Sequence, residues 1–158
     1  MKNWAVRKGL ALIRCGGLLS AVRIPTDLVR AAAGSDNLRE IDAFLANVLP
    51  GGPVFADQHG DSYYVLVPSS TRRRAEWATG SRRNSGAEFL GMGSYLDVPR
   101  PEATNSEAGH SYWCVPVTSP GALADPDTVS RFLTFALRRQ EQAAEEPPGS
   151  PPLTPGTA

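Results

Sequence analysis

The stretch Pro53–Pro68, PVFADQHGDSYYVLVP, decides how the rest of the chain is read. Val54 and Phe55 are apolar and favour an extended backbone. Asp57-Gln58-His59-Gly60-Asp61 supplies turn chemistry. Ser62 to Val67 then runs as a second extended segment rich in Tyr and Val, so the stretch predicts a β-hairpin. Before it lies a largely helical half, and after it come further strands and a closing helix. The expected class is α+β, with a mostly antiparallel sheet and flanking helices.

The 158 residues suit one domain, here bounded at 1–142, with 41% hydrophobic residues and a formal net charge of zero. A neutral chain offers no global attraction for nucleic acid or membrane, so any such contact must come from a local cluster. Cys15 and Cys114 are the only cysteines. Two thiols make neither a disulfide framework nor a four-thiolate zinc site, which points to a reduced, cytoplasmic protein. Near the N-terminus, Arg14 interrupts the apolar run Gly9–Ile13, which is too short for an export signal or a membrane span.

Outward from the hairpin, the clearest helix is Asn37–Leu49. Leu38, Ile41, Phe44, Leu45, Val48 and Leu49 form its apolar stripe, and Ser35 is its expected N-cap. Pro50-Gly51-Gly52-Pro53 stops it. Trp4–Arg14 reads as a helix ended by Gly16-Gly17, Leu18–Ile24 as a strand, and Leu28–Ala33 as a short helix closed by Gly34. After the hairpin, Ser70 or Thr71 is placed to cap a short helix through Trp77. Ala87–Leu90, Tyr95–Val98 and His110–Val117 read as extended, and Pro116 confines the last to a sheet edge. Asp125-Pro126-Asp127 opens the final helix, with Val129, Phe132, Leu133, Ala136 and Leu137 facing inward. Residues 143–158 are Pro-rich, with too few large apolar side chains to pack, and are expected to be a disordered tail.

Three blocks, PVFADQHGDSYYVLVP, GAEFLGMGSYLDVPRP (Gly86–Pro101) and HSYWCVP, resemble the N-terminal domain of bifunctional DNA primase/polymerases, a branch of the archaeo-eukaryotic primase superfamily. The likeness is nearest to its small, degenerate actinomycete members. It implies a primase-polymerase-like fold and a role in DNA replication, regulatory or accessory, in a chromosome, plasmid or integrative element. The family's polymerases hold two divalent metals on acidic residues, which clamp the attacking and leaving oxygens. The strand Leu18–Ile24, which corresponds to the family's early acidic strand, has no acid; Ser20 and Arg23 are its polar residues. The family's nucleotide-binding His falls on Ser62, with His59 three residues earlier. The third family acid falls on Glu88, and the Arg following it on Leu90. One carboxylate of three makes a poor two-metal site, so no catalytic residue is assigned. Glu88, Ser62 and His59 mark the residual family positions, and a divalent metal is implied only if residual nucleotidyl-transfer activity exists.

The strongest partner signal is basic. Arg72, Arg73, Arg74, Arg82 and Arg83 lie within twelve residues, with Trp77 between them and Glu76 the only acid. Arginines beside an aromatic ring suit phosphate contact with base stacking, so these six residues are the candidate DNA-binding set. The competing reading is a solvated helix end with Trp77 on the core. The expected partners are DNA or a replication protein, and no membrane. An adaptor role through the Pro-rich segment Pro147–Pro155 is a third reading. The sequence assigns no oligomeric state.

Overall fold

A computed structural model of the chain describes residues 10–17, 19–57, 61–73, 87–99, 102–104, 111–117 and 122–145. Among these the protein is α+β, with seven strands in two antiparallel sheets and three α-helices. In chain order they are β1 (Leu10–Arg14), β2 (Leu19–Pro25), α1 (Thr26–Ala33), α2 (Leu38–Val48), β3 (Val54–Asp57), β4 (Ser62–Pro68), β5 (Glu88–Leu90), β6 (Tyr95–Pro99), β7 (Tyr112–Val115) and α3 (Pro126–Glu145).

The hairpin forms as expected. β3 and β4 pair antiparallel from Val54↔Val65 to Asp57↔Ser62. They sit inside a five-stranded sheet of order β5-β2-β4-β3-β7, so β7 is an edge strand, as Pro116 requires. Alternation along these strands sends side chains to two cores. On one face Val22, Ile24, Val54, Tyr63 and Val65 pack beneath the helices, against Leu28 and Val29 of α1, Ile41 and Leu45 of α2, and Val129, Phe132 and Leu133 of α3. On the other face Ala21, Phe55, Leu66 and Trp113 meet Cys15, Leu96 and Val98. The second core lies under a two-stranded ribbon in which β1 pairs with β6, from Leu10↔Pro99 to Arg14↔Tyr95.

That ribbon corrects the helix expected over Trp4–Arg14. Residues 10–14 are extended, and the remainder of that stretch lies outside the described residues. Ile13 packs against the second core, whereas Leu12 is 52% exposed, so burial follows a period of two. Gly16 ends the strand by a different device from a helix stop. Its φ is +96°, and a Cβ there would fall 2.6 Å from the Met92 Cα, so glycine lets the β1–β2 turn press on the β5–β6 turn.

Other boundaries move for local reasons. Asn37, rather than Ser35, caps α2: its Oδ1 accepts from the Arg39 and Glu40 amides at 2.9 and 3.2 Å. Ser35 Oγ instead accepts from the Asn37 amide and donates to Glu40 Oε1. Ser69–Arg73 is a 3-10 helix that begins directly at the end of β4, and Thr71 is buried there with no hydrogen-bond partner among the described residues, so it packs rather than caps. α3 continues past Gln142 to Glu145, because Ala and Glu favour helix and the first interrupting proline is Pro147. The rest of the Pro-rich tail lies outside the described residues.

Candidate functional site

The residual family positions fall in two places. Glu88 opens β5, and by register Arg23 of β2 stands opposite Glu88 on one side and Tyr64 of β4 on the other. Arg23 Nη2 and Nε approach the same Glu88 oxygen, at 3.0 and 3.1 Å. The pair is about half exposed, so solvent screens it and its contribution to stability is small. Its geometric consequence is larger: the one acidic side chain on this row is held by a guanidinium, which has no lone pair for a cation.

Ser62 begins β4, opposite Pro25 and Asp57, and is buried. Standing two strands over and two residues along from Glu88, it lies roughly 12 Å away by ordinary strand geometry. The structure therefore does not bring Ser62 and Glu88 together. His59 lies outside the described residues, as do Arg74, Trp77, Arg82, Arg83 and His110. The backbone of Arg72 and Arg73 closes the 3-10 helix that leaves β4. This helix is tied to the β1–β2 turn, where Ser69 Oγ donates to the Gly17 carbonyl at 2.9 Å.

A second polar group is one the sequence reading missed. The β3–β7 register passes from Val54↔Val115 to Phe55↔Trp113, so Cys114 occupies a bulge. Strand alternation puts Cys114 on the helix face with Tyr112 and Tyr63, and the bulge turns Val115 to the same side. Tyr112 donates its hydroxyl to Asp42 Oδ1 at 2.9 Å, and the Cys114 thiol also hydrogen-bonds to Asp42. Burial pushes the Asp42 carboxyl above the usual aspartate range, while these two donors pull the other way. Burial, reinforced by the Asp42 charge, pushes the Cys114 thiol and the Tyr112 and Tyr63 hydroxyls far up, so all three stay protonated at neutral pH. Cys114 is thus an inert buried thiol. Cys15 is 1% exposed in the second core, and burial raises its thiol too. One signal for Asp42 was legible. It falls on the line Leu38–Asp42–Leu45–Leu49 along α2, an acid where a core-facing stripe calls for an apolar residue.

The raised Asp42 carboxyl has a testable sign. A proton bound more tightly in the folded state stabilises the fold below the unfolded-state pKa, and that stabilisation is lost as pH rises through the folded-state value. Urea unfolding of the wild type and Asp42→Asn, compared across the carboxylate range from about pH 3 to pH 7, should show the wild type losing ground to the variant as pH rises. The opposite slope would mean that the Tyr112 and Cys114 donors outweigh burial.

Beside this group lies a cleft of about 330 Å³ whose lining includes Ser62, Tyr63, Tyr112, Arg30 and three aspartates. No group of His, Cys, Asp and Glu among the described residues is arranged to hold a metal ion. No helix among them is long and apolar enough to cross a membrane. Comparison of the chain with protein-family models, with curated proteins and with solved structures gave no match.

Proposed function

We propose that the protein is a non-catalytic, primase-polymerase-like module that binds DNA in the cytoplasm as an accessory or regulatory component of replication, of the kind carried by plasmids and integrative elements. The observation that carries the non-catalytic part is the Arg23–Glu88 pair. β2 runs between the hairpin strand β4 and the Glu88 strand β5. That is where a two-metal nucleotidyl-transfer site of this type needs its further carboxylates. The position facing Glu88 is instead cationic, and its guanidinium takes the carboxylate at 3.0 Å.

The DNA-binding part rests on the arginine segment and its origin. Arg72 and Arg73 leave the sheet at the end of β4, a strand paired on both sides, through a 3-10 helix anchored to the β1–β2 turn. A basic segment rooted on a rigid element can present several guanidinium groups to phosphates without first ordering its base.

Titration of fluorescently labelled single- and double-stranded DNA with the full chain, followed by anisotropy over a salt series, tests this reading. Micromolar or tighter binding that weakens steeply with salt is expected. Absence of binding at low salt would leave the resemblance as one of fold alone and turn the search to protein partners.

A further inference from the structure

The β1–β6 ribbon carries the most specific unassigned surface of the molecule, the outer edge of β1. One bond fixes which backbone groups lie on it. The Cys15 amide donates to the Ser94 carbonyl at 2.9 Å. Bonded and non-bonded pairs alternate along an antiparallel ladder, so Ile13 and Leu96 form the next bonded pair. Leu12 and Arg14 therefore turn their amides and carbonyls away from β6. Those outward groups take no other hydrogen bond among the described residues. They are also accessible, because Leu12 is 52% exposed and Arg14 is exposed.

An unpaired edge invites a further strand, and the other three outer strands are each guarded against it. β7 is covered, since the Trp113 amide donates to the Ala103 carbonyl at 2.6 Å, and Pro116 follows the strand. β5 has three residues and begins at the exposed Glu88. β6 carries the exposed Asp97 and ends at Pro99, whose carbonyl is taken by Trp113 Nε1 at 3.1 Å. β1 has none of these devices. Its sequence LALIR holds no proline, and its one charge, Arg14, stands at the end.

We propose that β1 pairs antiparallel with β1 of a second copy, centred on Leu12, and joins the two ribbons into one sheet of order β6-β1-β1-β6. In this register Leu12 exchanges both backbone bonds with its counterpart, and Leu10 does so with Arg14. The two Leu12 side chains meet as an apolar cross-strand pair on the outer face. The two Arg14 residues fall at opposite ends, roughly 14 Å apart along the strands. Parallel pairing would set the guanidiniums side by side, and pairing through β6 about Asp97 would set two carboxylates face to face. The placement of charge thus selects both the β1 edge and the antiparallel sense. A chain of zero net charge adds no overall repulsion between copies. The contact is isologous, and the strands left outermost are the two β6 strands with Asp97 and Pro99, so the assembly closes at two. Two strands alone are a marginal β unit, and four correct that. An edge this short lies at the low end of specific contact areas, so the dimer is weak. This inference is independent of the DNA-binding reading and survives its failure.

Sedimentation velocity of the full chain from about 1 µM to about 1 mM should show monomer passing to dimer and to nothing larger. Amide hydrogen exchange followed by NMR should slow at Leu12 and Arg14 as the dimer forms, and stay unchanged at Tyr95 and Asp97. Leu12→Lys sets like charges opposite one another at the centre of the contact and should weaken the dimer about tenfold or more. Leu12→Pro deletes an outward amide that β6 does not use, and should weaken it similarly. The lysine variant changes an exposed side chain, so it tests the edge even where proline disturbs the strand. A chain that stays monomeric throughout, association beyond two copies, wild-type dimer affinity in both variants, or slowed exchange at Tyr95 and Asp97 in place of Leu12 and Arg14 would each overturn the proposal.

Discussion

Replacing Trp113 with alanine is expected to lower the unfolding free energy by about 3–5 kcal/mol, the usual cost of emptying a buried Trp site. Trp113 is 4% exposed and lies between the five-stranded sheet and the β1–β6 ribbon. Its ring meets Phe55 edge-on, with centroids 5.4 Å apart, and Phe55 stacks on Tyr64 at 4.9 Å. Its Nε1 donates to the Pro99 carbonyl at 3.1 Å, a direct bond from β7 to the end of β6. Alanine therefore removes a large apolar side chain and leaves a buried carbonyl without its donor, two costs that add. A domain of ordinary stability, about 5–15 kcal/mol, loses a large fraction of it. Trp113→Phe separates the two parts, since it keeps an aromatic ring and loses only the N–H, and it should cost about 1–2 kcal/mol for that bond beyond any repacking. Urea denaturation monitored by circular dichroism measures both. A loss below about 1 kcal/mol for Trp113→Ala would mean that the ribbon contributes little to the fold and that the second core is not a true core.

The other large effect concerns DNA. On the proposed function, changing Arg72, Arg73 and Arg74 together to alanine should weaken binding on the order of 100-fold near physiological salt, by loss of counterion release at three phosphates. The salt dependence gives the sharper reading. Five arginine–phosphate contacts predict a log–log slope of about −3 to −5 for the wild type, and the triple variant should be shallower by about 2 to 3. The fold should persist, because Ser69 ties the 3-10 helix to the β1–β2 turn and Thr71 is buried in it. A variant that melts like the wild type and binds with the same affinity and slope would remove the arginine segment from the interface. A variant that loses affinity with an unchanged slope would point instead to a non-electrostatic contact.

The two sequence features that predicted most securely were local ones. The β3–β4 hairpin is written in adjacent residues: a turn-forming run between two β-prone segments, with pairing that needs only that turn to close. The apolar stripe of α2 is likewise local, and Ile41, Leu45 and Leu49 are buried as its spacing required. The Ser35 cap failed for a narrower reason. Ser35 and Asn37 are both good caps, and only the turn in which the helix starts selects between them. The candidate site was legible only in fragments. Asp42 interrupts the α2 stripe visibly, but its partners Tyr112 and Cys114 come from the far edge strand, which no local spacing brings against α2.

From its sequence alone, then, this chain declares an α+β class, a central hairpin, two amphipathic helices and an arginine-rich segment, because each of these depends on residues within a few turns of one another. Its tertiary structure decided what long-range pairing controls. Leu10–Arg14 became a strand because β6 offers it an unpaired edge and the second core needs a cover, which outweighs any helical preference of five residues. Cys15 was buried by the same ribbon. The register of β2 between β4 and β5 set Arg23 against Glu88, and the close of the hairpin against α1 gathered Asp57, Asp61 and Tyr63 around one cleft. Such juxtapositions cost loop-closure entropy that only the assembled cores repay, so no window of the sequence carries them.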